Sequence, residues 1–193
     1  MSPQNHRPVP PLGHRAEHPD ATGPDGSEIR FLIDHRHRAQ GTSVVEAILP
    51  PGQVSHPVWP WTVEEVWYIL EGCGQVWRCP PDADPFPLES VAVKPDDALT
   101  IPTGWRFQFS ASPAGPLRFR CITIPPWPGP DEAQPAEIGG LGTGTMTGTM
   151  TGIMTGTIRT GKCDQGYRFG LSISVILEGL RLAGCLQSRC SRQ

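Results

Sequence analysis

Glu65 is the residue of this sequence whose surroundings most favour chemistry, because it lies in an alternating apolar segment that ends near Glu71. Side chains of an extended strand point alternately to opposite faces, so an inward Glu65 shares its face with Trp67 and Ile69. A carboxyl group buried among apolar side chains needs a partner or a raised pKa, and such groups cluster at functional sites. The sequence therefore predicts a site at Glu65.

Plainer roles for the same residue stay open. Glu65 could pair with Arg78 or Arg106, or point to solvent while Glu64 takes the inward position. His56 is the nearest imidazole in the barrel segment, and on an extended strand it would share the face of the inward residues that follow it. We therefore expect it to be the second polar group of such a site.

Aromatic residues surround this position in the predicted strands. Trp105, Phe107 and Phe109 share one face, as Trp67 shares the face of Glu65. Either these rings fill the interior as ordinary core, or they form the wall of a pocket for a small, partly apolar or planar molecule. The predicted pocket residues are Glu65, Trp67, Trp105, Phe107, Phe109 and His56.

The elements that must position these side chains are short strands. Each is β-branched, apolar or alternating, and each is bounded by Gly, Pro or Asp, with no helical period between them. Such a pattern predicts an all-β, antiparallel jelly-roll or barrel. The strands are predicted at Ile29 to Ile33, Thr42 to Leu49, Val63 to Glu71, Gly74 to Arg78, Val91 to Val93, Ala98 to Ile101, Arg106 to Ser110 and Leu117 to Ile124.

The chain divides into four predicted parts. Residues 1–26 read as a flexible Pro-rich arm, and residues 27–128 as the barrel, which the prolines from Pro125 onward should end. Residues 129–161 hold a Pro/Gly linker and a four-residue Thr-Met-Thr-Gly repeat, too short a period to bury a core, and are predicted to be disordered. Residues 162–193 are predicted to be a tail that holds one short helix or strand.

The barrel segment resembles the cupin superfamily, whose first motif is glycine, five residues, His-x-His, three or four residues, glutamate, six residues, glycine. Its second motif is glycine, five residues, Pro-x-Gly, two residues, histidine. The first motif falls on Gly52, Val58, Pro60, Glu65 and Gly72, and the second on Asp96, Pro102, Gly104 and Phe107. The resemblance implies a double-stranded β-helix, the cupin barrel, over about half of the chain.

The resemblance also implies a divalent metal at four of these positions, of which only Glu65 keeps a donor. Val58, Pro60 and Phe107 offer none, and one carboxylate cannot hold a transition metal. We therefore expect no cofactor, and a degenerate metal site. If a metal binds, its ligands are Glu65 and His56, with a cysteine thiolate as a substitute donor.

Composition limits the partners. A formal net charge of −3 gives no positive field for nucleic acid or an anionic membrane surface. The first residues lack the pattern of a secretory signal, which predicts a cytoplasmic protein. Cupins commonly dimerise, so the resemblance implies a homodimer as a candidate assembly.

The leading hypothesis is a cupin-domain protein that binds a small, partly apolar molecule in its barrel without metal and without catalysis. The alternatives are a metal-dependent cupin enzyme, a dioxygenase or isomerase that uses Glu65 and substitute ligands, and a structural or interaction barrel with a filled core. The enzyme question stays open, with binding preferred because three ligand positions are lost.

Overall fold

The computed structural model describes residues 8–86 and 88–142, and this part of the chain is built from strands. It contains eleven strands and two short 3-10 turns, η1 (His35–His37) and η2 (Pro130–Glu132), and no α-helix. The predicted all-β class is confirmed. The strands are β1 (Ala21–Thr22), β2 (Glu28–Ile33), β3 (Ser43–Leu49), β4 (Val58–Pro60), β5 (Glu64–Glu71), β6 (Gly74–Cys79), β7 (Val91–Val93), β8 (Ala98–Ile101), β9 (Arg106–Ala111), β10 (Leu117–Ile124) and β11 (Ala133–Pro135).

The strands form two antiparallel sheets. One has the order β1-β2-β3-β10-β5-β8, and the other has the order β11-β4-β9-β6-β7. Burial alternates along the strands, so that one face of each sheet points inward. In β10, for example, every second residue from Leu117 to Thr123 is buried. The two inner faces enclose a shared interior.

Aromatic rings fill one part of that interior. The Trp67 ring stacks on Phe119 with centroids 4.2 Å apart and meets the edges of Phe107 and Phe109 at 5.3 and 5.1 Å. Stacked and edge-to-face pairs stabilise the core beyond their area burial, by about 0.5–1.5 kcal/mol each. The cluster joins strands of both sheets and so fixes their separation.

Two tight turns explain how the motif positions fit the fold. Gly72 has φ +80°, and a Cβ there would lie 1.9 Å from the carbonyl oxygen of Pro116, so only glycine fits. Asp96, which occupies a glycine position of the cupin pattern, also has a left-handed φ of +73°. Aspartate tolerates this conformation better than most residues, and its carboxylate accepts a 2.8 Å hydrogen bond from the Tyr68 hydroxyl.

Residues on both sides of the predicted 27–128 barrel join its sheets. Arg15 pairs with Glu46 at 2.5 Å, and Ala21 pairs with Ile29, so part of the predicted arm packs on the barrel. Beyond the proline-rich stretch, β11 pairs with β4 as an edge strand, where a proline is tolerated. The Thr-Met-Thr-Gly repeat and the predicted tail, residues 162–193, lie outside the described residues.

Across residues 8–86 and 88–142, no helix has the length and apolar character needed to cross a membrane.

Candidate functional site

A cavity of about 360 Å³ lies beside the aromatic cluster, between the inner faces of the two sheets. Residues of β1 to β5 and of β9 to β11 line it, together with the turn between β1 and β2 and the segment after β10. Its walls are mostly apolar. The rings that face it are Phe31, Trp67, Phe107, Phe119 and Trp127.

Glu65 is the carboxyl group on the wall contributed by β5, and it is only 5% exposed. Its Oε2 accepts a 2.7 Å hydrogen bond from Nε1 of Trp67, and the Cys121 thiol donates to the same oxygen at 3.4 Å. Within the described residues no protein group hydrogen-bonds Oε1. That oxygen is therefore the free acceptor of a buried carboxyl group beside a cavity.

Burial raises the pKa of Glu65 to about 7. The hydrogen bonds from Trp67 and Cys121 oppose this rise, and the nearby carboxyl groups of Asp25 and Glu132 add to it. A carboxyl group with this pKa is present in both protonation states near neutral pH. It can therefore donate a hydrogen bond in one state and accept one, or carry charge, in the other.

Asp25 is a second carboxyl group on the cavity wall, at a position where no residue pattern predicted a site. It lies in the turn between β1 and β2, where Oδ1 accepts bonds from the backbone N–H of Ser27 at 2.9 Å and from its hydroxyl at 2.7 Å. Burial raises the pKa of Asp25, although these bonds and the neighbouring His56 act in the opposite direction. The signal that could have found it is the Asp-x-Ser turn pattern, which is common in loops.

The structure brings three of the six predicted pocket residues to the cavity: Glu65, Trp67 and Phe107. Phe109 is buried behind them, edge-on to Trp67, and Trp105 precedes β9 and packs against the core from outside the cavity. His56 is exposed, and its backbone N–H donates to the carbonyl oxygen of Asp25 at 2.8 Å. The cavity-lining set therefore differs from the predicted one at Trp105, Phe109 and His56.

The structure also excludes the other roles considered for Glu65, namely an ion pair with Arg78 or Arg106 and an outward position. Arg78 donates to the carbonyl oxygen of Thr100, and Arg106 donates to groups around Cys79, so neither pairs with Glu65. Glu64 is the outward residue of the pair.

Glu132 fixes the segment that borders the cavity after β10. Its buried carboxylate accepts bonds from the backbone N–H groups of Thr62 and Val63 at 2.5 and 2.8 Å, and from the Thr62 hydroxyl at 2.8 Å. This joins η2 to the start of β5. Gly129, which lines the cavity, accepts a 3.2 Å hydrogen bond from the backbone N–H of Glu132.

The residues at the cupin metal positions do not fit a metal ion. Val58 and Phe107 present hydrocarbon to the cavity, and Pro60 has no donor side chain. In the described part of the chain no three His, Cys, Asp or Glu side chains converge as metal ligands. The Cys121 thiol beside Glu65 is a poor substitute, because burial and the neighbouring carboxyl group raise its pKa and keep it protonated.

The chain resembles solved structures in fold. No family model matches the sequence, and no curated protein matches it. A variant of oxalate decarboxylase from Bacillus subtilis superposes with a TM-score of 0.54 at 14% identity, over 67% of this chain and 33% of that chain. Oxalate decarboxylase from Bacillus subtilis at pH 4.6 gives a TM-score of 0.53 at 15% identity, over 67% and 33% of the two chains.

A vicilin from hazelnut, Corylus avellana, gives a TM-score of 0.47 at 15% identity, over 56% of this chain and 32% of that chain. The chain thus spans about a third of the length of these proteins. At such identities the likeness to oxalate decarboxylase establishes the fold alone. Together with two antiparallel sheets around one interior, it shows that this chain has the cupin fold.

Proposed function

We propose that this protein is a cupin-fold binding protein that takes a small, partly apolar molecule into its barrel without a metal ion and without catalysing a reaction. The observation that carries the proposal is the cavity of about 360 Å³. Ligand sites in proteins are typically mostly apolar concavities of roughly 300–1,000 Å³ with a few polar groups. This cavity is at the lower end of that range, which suits a molecule of one or two rings.

The partly filled interior supports binding over a purely structural barrel. Small barrels usually have interiors packed with side chains, and an unfilled space removes dispersion contacts from the residues around it. Here Phe109 and Phe119 pack on Trp67, yet Trp67 and Phe119 also border open space. A bound molecule would restore the missing contacts.

The donor set favours binding over metal-dependent catalysis. Such an enzyme would need several ligands around Glu65, and the side chains at the corresponding positions, Val58 and Phe107, instead extend the apolar wall. The polar groups that remain suit orientation of a ligand, which is how binding pockets commonly use them.

A cavity-filling variant tests the proposal. Naphthalen-2-ylmethanol is a neutral probe of suitable size for the cavity, and isothermal titration calorimetry measures its binding. Ala47 lies on the wall and is buried, so Ala47→Leu fills the space. We expect saturable binding to the full chain and a loss of at least about tenfold in affinity for Ala47→Leu.

The matched control is Ala98→Leu, the same change at an exposed position of β8. We expect it to bind like the wild type. Val58→Leu fills the cavity from the opposite sheet and replaces Ala47→Leu if that variant does not fold. Equal binding by the cavity-filled and control variants would refute the proposal.

A further inference from the structure

We infer that the cavity selects organic cations, namely molecules in which a protonated primary or secondary amine is attached to an apolar, ring-containing body. This inference rests on the proposed function and names the ligand class for the same cavity.

The charges on the wall all have one sign. Of the described residues that line the cavity, the ionisable ones are the carboxyl groups of Asp25 and Glu65 and the Cys121 thiol, with no Lys, Arg or His among them. The two carboxyl groups are close enough to repel each other's negative charge. An anionic ligand would add to this repulsion, whereas a cation would relieve it.

The hydrogen-bonding groups near Glu65 point to the same class. Most donors there are already used within the protein: Trp67 and Cys121 donate to Glu65 itself, and the Ser27 hydroxyl donates to Asp25. The Thr123 hydroxyl beside Glu65 is bonded to the Ser43 hydroxyl, and the Thr22 hydroxyl lies on β1. Both hydrogen bonds to Glu65 go to Oε2, so its Oε1 accepts none from any described residue, and both bonds from Ser27 to Asp25 go to Oδ1. This end of the cavity therefore offers acceptors, which an ammonium N–H satisfies and a ligand carboxylate does not.

The rings provide the third argument. Trp67, Phe107 and Phe119 all line the cavity, and aromatic faces carry negative electrostatic potential. A cation within about 6 Å of such faces is attracted to them, most strongly in a desolvated site. The apolar body of an amine would pack on the rings while its ammonium group reaches the carboxyl oxygens.

Three probes that share a naphthalene ring test the inference: 2-naphthylmethylamine, naphthalen-2-ylmethanol and 2-naphthoate. Titrations of the full chain at about pH 8 are suitable, because the pKa of Glu65 is about 7 and the carboxylate then predominates. We expect the amine to bind at least about tenfold more tightly than the alcohol, and the carboxylate to bind most weakly.

The substitution Glu65→Gln should reduce the ratio of amine affinity to alcohol affinity to about threefold or less, because the charge that favours the amine is removed. Glu64→Gln, at the exposed neighbouring position, should keep the full advantage. If the wild type binds alcohol and amine equally, or prefers the carboxylate, the inference fails while the proposed function stands. If none of the three probes binds, the proposed function itself fails.

Discussion

The indole Nε1 of Trp67 donates a 2.7 Å hydrogen bond to Oε2 of Glu65, two residues earlier on the same strand. Both side chains face the interior, so one strand provides an aromatic ring of the cavity wall and the carboxyl group beside it. The bond orients the carboxyl group and leaves its other oxygen open.

The pH dependence of stability should depend on Glu65. Its pKa rises from 4.5 to about 7 on folding, a shift of about 2.5, so the folded state holds this proton more tightly than the unfolded state. Stability from the protonated carboxyl is fully present below about pH 4.5 and is lost as pH rises to about 7, by up to roughly 3 kcal/mol. Glu65→Gln mimics the protonated form. Its free energy of unfolding should therefore fall less between pH 4.5 and pH 8 than that of the wild type.

Urea denaturation at a series of pH values measures this difference. Glu64→Gln is the control and should follow the wild-type curve. In Glu65→Gln, Asp25 remains, and its pKa is also raised. The unfolding free energy of this variant should therefore still fall as pH rises, but less steeply than that of the wild type. Parallel curves for the wild type and Glu65→Gln would show that Glu65 ionises without cost in the folded state.

Glu46 should stabilise the outer face of the larger sheet. Its fully buried carboxylate pairs with Arg15, Arg118 and Arg120. Burial alone would raise its pKa, but the guanidinium groups lower it below the usual range. Glu46→Gln leaves these guanidinium groups without their shared anion and should reduce the free energy of unfolding by about 2 kcal/mol or more.

Glu71→Gln is the matched control for that variant. Glu71 also pairs with Arg118, but its side chain is 56% exposed, so its loss should change stability by less than about 1 kcal/mol. Both values come from urea denaturation at neutral pH. Equal losses at the two positions would contradict a special role for the buried carboxylate.

The segment around Gly140 packs on Trp77 at the outer face of the smaller sheet, and we expect this packing to require a glycine. A Cβ at this position would lie 2.2 Å from Cδ1 of Trp77, a ring that is fully buried. Gly140→Ala should therefore displace the segment and destabilise the fold by about 1–3 kcal/mol. Gly115→Ala is the control, because nothing lies within 4 Å of its added Cβ. Thermal unfolding distinguishes the two, and a Gly140→Ala midpoint equal to that of the control would contradict the packing described.

Strand periodicity explains what could be predicted from the sequence. The eight predicted strands agree with β2, β3 and β5 to β10 to within about one residue, because β-branched alternation and Gly or Pro boundaries are local signals. The same alternation correctly predicted that Glu65 and Trp67 point inward. It failed for His56, because that residue lies before β4 begins, where no strand geometry holds its side chain on the predicted face.

The rest of the site depends on contacts between distant parts of the chain. Asp25 reaches the cavity from a turn, and Trp127 reaches it from the proline-rich stretch, held by its backbone N–H bond to Ser43 Oγ at 2.9 Å. Neither position has a periodic pattern. β1, β4 and β11 were missed because strands of two or three residues that begin or end near prolines carry almost no local signal.

Calorimetric titration of the full chain with naphthalen-2-ylmethanol, once in EDTA and once with added MnCl₂, tests the central claim most directly. If the cavity binds through ring contacts and shape, the affinity should be the same in both buffers. Binding that disappears in EDTA and returns with Mn²⁺ would contradict the account, because a metal beside Glu65 would then be part of the site.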